Sequence, residues 1–168
     1  MTMIRDHLQT VTQRLASACE RAGRPVGSVQ LLAVSKTQPA QAVREAWTAG
    51  QTAFGENYVA EAEAKMAALD DLRSVLTWHL IGPLQANKTR GVAERFDWVH
   101  SVDRLRIAQR LSEQRPPTLA PLQVCLQVNI SGEDSKSGVS PADLPALAEA
   151  VAALPRLKLR GLMVIPAP

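Results

Sequence analysis

Residues 30–50 read QLLAVSKTQPAQAVREAWTAG. An apolar run from Gln30 to Ser35 has the length of a strand, and a polar pair, Lys36-Thr37, follows it. Pro39 to Ala49 then shows helical spacing, and Gly50 closes it. One strand, one polar turn and one helix make up the unit, and it recurs. Strands are expected over 52–54, 76–81, 97–101, 122–129 and 157–164. Helices are expected over 57–69, 85–93, 103–113 and 141–153, with Asp103 and Ser140 as N-caps of the last two. Ahead of the first strand, Ile4, Leu8, Val11, Leu15 and Ala18 mark an amphipathic helix, which Gly23 and Pro25 end.

Strict alternation of strand and helix implies right-handed crossovers and a parallel sheet. The phosphate fingerprints GxGxxG and GxxxxGK[ST] are both missing from the strand ends. Polar residues gather instead after every strand: Ser35-Lys36-Thr37, Gly55-Glu56-Asn57, His79 to Gly82, His100 to Asp103, Asn129 to Ser131 and Met163 to Pro166. That is how a β/α barrel builds the mouth of its site. The fold class is therefore α/β, a TIM-type barrel. Closure takes eight strands, and six are read here, so a single domain over 1–168, incomplete at its C-terminus, is expected.

Composition narrows the function classes. Nineteen Lys and Arg against sixteen Asp and Glu leave a formal charge of +3, with both signs interspersed. No basic stripe exists to attract nucleic acid. No apolar run approaches the ~20 residues of a membrane span, and the N-terminus has no signal-peptide core. A cytoplasmic monomer with a small-molecule partner is expected. Cys19 and Cys125 match no metal spacing and read as buried free thiols. The three histidines lie on separate elements, so a zinc site has weak support.

Lys36 is the most informative residue. Leu32, Val34 and Lys36 share one strand face; if that face lines the barrel, Lys36 points inward at the mouth. An amine partly withdrawn from water gives up its proton more readily and can attack an aldehyde. A solvated lysine after a strand is the commoner case. His79 is either a ring-orienting group or a structural hydrogen-bonder, and His100 has the same two readings. His7, on the polar side of the first helix, needs no function. Gln123, Cys125, Gln127 and Asn129 alternate with apolar residues and suit a barrel interior opening onto a ligand. Lys136, in the polar loop after them, is a second cation at the mouth or a surface charge. Gly55 and Gly82 permit tight turns, Met163 reads as packing, and Tyr58 is the only tyrosine.

Six stretches occur in order: LLAVSKTQP (31–39), FGENYVAE (54–61), WHLIGPLQANK (78–88), HSVD (100–103), QVNISGEDSKSGV (127–139) and GLMVIP (161–166). Together they resemble the YggS/PROSC family of pyridoxal-phosphate homeostasis proteins, whose fold is similar to the N-terminal barrel of alanine racemase. The resemblance implies that Lys36 carries pyridoxal 5′-phosphate as a Schiff base. It also implies that Asn57, His79 and Asn129 lie around the cofactor, and that the protein buffers a reactive aldehyde without catalytic turnover. The family continues through further segments that complete the barrel and supply phosphate contacts, and these lie outside this sequence. A pyridoxal-phosphate-dependent racemase is the alternative; it needs a second acid/base facing Lys36. A Schiff-base aldolase is a third reading, with Glu56 as its nearest acid.

Overall fold

The computed structural model describes residues 3–134 and 137–168; Lys136 lies outside them. Among the described residues, six strands form one parallel sheet in sequence order: β1 (Ala33–Val34), β2 (Ala53–Glu56), β3 (Thr77–Leu80), β4 (Trp98–Val102), β5 (Leu122–Val128) and β6 (Leu157–Val164). Six α-helices among the described residues accompany them: α1 (Met3–Arg21), α2 (Ala40–Thr48), α3 (Val59–Ala68), α4 (Thr89–Arg95), α5 (Leu105–Gln114) and α6 (Leu144–Ala152). β1 and β6 are the two free edges, so the expected β/α barrel is present as an open sheet.

Two kinds of row cross this sheet, because side chains alternate along each strand. Glu56, Leu80, Val99, Val124 and Leu159 are consecutive register partners on the side that meets the helices. Leu80, Val99 and Val124 are wholly buried there against helix residues such as Val92, Ile107, Ala108 and Leu111. The other row, Val34, Gly55, His79, Trp98, Gln123 and Lys158, runs unbroken across all six strands on the opposite face, here called the inner face. Strands apolar on one side and mixed on the other produce this division directly.

Several expectations need correction. The strand expected over 30–35 shrinks to two residues, although the Ser35 N–H still donates to the Gly55 carbonyl. As an edge strand, β1 has a partner on one side only. Val11 of the first helix's apolar stripe remains exposed, and only Ile4 and Leu8 of that stripe pack against the core. The helix expected over 85–93 begins as a 3-10 turn, Ala86–Lys88, before α4. Asp103 does not cap α5, which starts after Arg104 with no side-chain cap. Its carboxylate instead accepts the Gly138 N–H at 3.1 Å, tying the loop after β4 to the loop after β5. Ser140 does not cap α6 either, since the helix starts after Asp143 with no side-chain cap; its hydroxyl accepts the Asp143 N–H at 3.2 Å in the turn before it. β6 shifts register near Val124 and Cys125. Beyond the shift, Leu162 and Val164 pair with buried Leu126 and Val128 yet are themselves exposed.

Candidate functional site

The C-terminal ends of the strands form a rim. Lys36 follows β1 there as the second residue of a turn that the Gln38 N–H closes onto the Ser35 carbonyl at 3.1 Å. Thr37, third in that turn, has φ 62, a left-handed conformation that β-branched residues avoid. The expectation of an amine withdrawn from water is corrected: Lys36 is exposed. The reason is topological, since β1 is a free edge and Val34, directly below Lys36 on the inner face, is 51% exposed.

Asn57 stands at the end of the adjoining strand, β2. Its backbone passes so close to the loop after β3 that a Cβ on Gly82 would lie 2.4 Å from the Asn57 carbonyl oxygen. Only glycine allows that approach, which fixes Asn57 against its neighbour. The side-chain oxygen of Asn57 is buried and has no hydrogen-bond partner. Native structures rarely leave such an acceptor empty, and where they do a ligand or water commonly fills it.

His79 lies within β3, one row below the rim. Its ring stacks on Trp98 at 5.1 Å, and its Nδ1 shares a hydrogen bond of 2.9 Å with Nε2 of His100. The Arg160 guanidinium lies over the Trp98 ring, 5.3 Å from its centroid. Burial first, and the neighbouring His100 second, depress His79 to about 3; burial alone lowers His100. Both imidazoles are therefore neutral at neutral pH, one donating and the other accepting. The unfolded chain takes up a proton near pH 6.5, whereas folded His79 does not. Stability due to this group is complete above pH 6.5 and falls away as the pH drops toward 3. Replacing His79 with leucine is expected to flatten the decline of unfolding free energy between pH 6.5 and 4. Equal slopes for the two proteins in urea titrations would refute the assignment.

Asn129 is engaged by its own loop. Its amide donates to the Glu133 carbonyl at 2.7 Å, and its side-chain oxygen accepts the Ser131 hydroxyl at 3.2 Å. It shapes the rim above β5. Gln127 is buried and Cys125 half-buried in the same strand. Burial pushes the Cys125 thiol above its ordinary value, against the opposing charge of Arg160. Glu56, the acid considered for an aldolase, faces the helices rather than the inner face. It pairs with Lys65 of α3 and gives Lys36 no acid. Among the described residues no group of three His, Cys, Asp or Glu could hold a metal ion.

Four further residues of this region carry no signal in the sequence that would mark them as part of a site. Trp98 and Arg160 complete the inner-face cluster. Glu61 and Lys65, a residue pair one helical turn apart on α3, reach the Lys36 turn. The Glu61 carboxylate accepts the Thr37 N–H, and Lys65 Nζ donates to the Ser35 carbonyl at 2.7 Å. The spacing of Glu61 and Lys65 was visible, but on a helix surface it signals only a solvated ion pair.

Comparison with known proteins agrees with this geometry. The family profile described as alanine racemase, N-terminal domain, matches residues 7–168. The pyridoxal phosphate homeostasis protein of Pseudomonas aeruginosa is 63% identical over 100% of this chain and 72% of its own length. That of Escherichia coli is 56% identical with the same coverage of both chains. Among solved structures, PipY of Synechococcus elongatus with PLP bound superposes with a TM-score of 0.78 at 48% identity, over 93% of this chain and 70% of that one. Alanine racemase of Corynebacterium glutamicum, 19% identical, gives a TM-score of 0.66 over 95% of this chain and 44% of its own, and shares the fold alone. No helix among the described residues is long and apolar enough to cross a membrane. On the profile match and these identities, the chain belongs to the family of the alanine racemase N-terminal domain, among the pyridoxal phosphate homeostasis proteins.

Proposed function

We propose that this protein binds pyridoxal 5′-phosphate covalently through Lys36 and serves cofactor homeostasis, holding a reactive aldehyde and not turning over a substrate. The observation that carries this reading is a primary amine on the rim of a parallel β/α sheet, beside a buried amide oxygen that lacks a partner. The relatives named for pyridoxal phosphate homeostasis, and the PipY structure with PLP bound, support it.

The residues present fit such a group. Pyridoxal phosphate would supply an aldehyde carbon that condenses with an amine, the carbonyl oxygen leaving as water. Lys36 provides that amine on an exposed side chain, within reach of a ligand arriving from solvent. Asn57 offers its unpaired oxygen as an acceptor for a ligand hydroxyl or a bound water. The neutral His79 and His100 pair floors this region with ring edges that carry no charge at neutral pH. Asn129 maintains the loop that bounds the rim on the far side. A monomer in the cytoplasm suits this role.

Incubation of the purified protein with pyridoxal phosphate, reduction with borohydride and peptide mapping test the proposal. The pyridoxyl mass is expected on the peptide carrying Lys36, at about one group per chain when the cofactor is equimolar. Labelling spread evenly over the exposed lysines, Lys158 included, would overturn it.

A further inference from the structure

The turn that carries Lys36 is held by a charged cluster beneath it, on the opposite side of the sheet from the inner face. Lys65 of α3 is 6% exposed, and its ammonium meets three acceptors: the Ser35 carbonyl at 2.7 Å, Glu61 Oε1 at 3.1 Å and Glu56 Oε1 at 2.5 Å. Glu61 Oε1 also accepts the Thr37 N–H at 2.5 Å. The Ser35 carbonyl belongs to the peptide group before Lys36, and the Thr37 N–H to the peptide group after it. Pinning both planes fixes φ and ψ of Lys36, and with them the direction of its Cα–Cβ bond. Thr37 keeps its left-handed backbone because these contacts over-determine it.

We infer that Glu61 and Lys65 are positioning residues for Lys36. They hold the Ser35–Gln38 turn so that an otherwise free, exposed amine leaves the rim in one direction, toward a carbonyl ligand. The inference rests on the function proposed above. An exposed lysine has four rotatable side-chain bonds; fixing its root reduces the volume its amine samples and raises its local concentration at the site. The Lys65 hydrogen bond, with the Thr37 N–H in support, holds the Glu61 carboxyl below its ordinary range, so it accepts as a carboxylate. α3 thereby acts on the cofactor-binding residue without approaching the cofactor.

Glu61 is partly exposed, which makes it the residue to vary. Glu61→Ala removes the acceptor from the Thr37 N–H, whereas Glu61→Gln retains an oxygen there. Two measurements are made on the full chain. The first is hydrogen exchange at the Thr37 amide. The second is the rate of borohydride-trapped pyridoxal phosphate labelling at Lys36, divided by the rate at exposed Lys158 in the same sample. Glu61→Ala is expected to speed Thr37 exchange and to lower the labelling ratio about tenfold, with Glu61→Gln close to wild type in both. Unchanged ratios in Glu61→Ala overturn the inference, as does a loss that Glu61→Gln fails to restore. A wild-type ratio near one, with Thr37 exchange still responding to Glu61→Ala, instead brings down the function proposed for Lys36, and this inference with it. Slow Thr37 exchange in every variant shows that the clamp does not exist.

Discussion

Lys65→Met is expected to lose about 3–5 kcal/mol of folding stability, read as a lower urea midpoint. Methionine matches the length of the side chain but leaves Glu56 with no counter-charge. That carboxylate is wholly buried, and the Lys65 ammonium against its Oε1 is its counter-charge. Burial already pushes Glu56 above its ordinary value, against the pull of Lys65. Without the ammonium the folded state binds a proton there more tightly than the unfolded chain does. The stability deficit of Lys65→Met should therefore shrink as the pH falls from 8 toward 5, since protonation removes the uncompensated charge. Changing the partner as well, in Glu56→Leu with Lys65→Met, should recover most of the loss, because an apolar pair can replace a buried ionic one. The Ser35 carbonyl still receives the Gln38 N–H in that double variant. A single variant as stable as wild type at pH 8 would mean that water reaches Glu56.

The second large effect is expected at Arg115, which is 5% exposed at the end of α5. Its Nη1 donates to the Ala93 carbonyl at 2.8 Å and to the Phe96 carbonyl at 2.7 Å, while Nε donates to the Ala120 carbonyl at 3.0 Å. One guanidinium thus binds the last turn of α4, the approach to β4 and the loop that precedes β5. Burial lowers its pKa, and the opposite charge of Asp97 restrains that shift. Arg115→Met should cost about 3–4 kcal/mol, because all three carbonyls lose this donor at once. Arg115→Lys should restore little, since a single ammonium cannot span acceptors that a planar fork reaches together. Thermal unfolding of the two variants decides the matter. A lysine variant with wild-type stability would show that charge, and not the fork, holds this junction.

Much of the architecture could be read from spacing. The β5 sequence LQVCLQV alternates so regularly that its buried face, Leu122, Val124 and Leu126, follows from period two alone. The strand expected over 157–164 has the same bounds as β6. Positions whose behaviour depends on a distant segment were not legible. Asp103 has the chemistry of an N-cap, but the Gly138 N–H, 35 residues away in sequence, takes its carboxylate. Lys36 has the alternation of an inward residue, yet its exposure depends on β1 having no outer neighbour. Lys65 sits in an Ala- and Glu-rich helix that gives no hint of burial until α3 packs over the end of β1. His79 and His100 are 21 residues apart, and only the register of β3 against β4 makes them one hydrogen-bonded pair. Local pattern decided which elements form, and tertiary register decided what their polar groups do.

Trp98, which stacks on His79 and lies under Arg160, gives the molecule a spectroscopic reporter. Trp78 is enclosed in the core beside Phe54, and Trp47 belongs to the outer helix α2. Trp98 is thus the indole whose emission should respond when a chromophore settles over the sheet. Quenching that disappears in Trp98→Phe would let arrival and departure be timed on the native chain, with no dye attached.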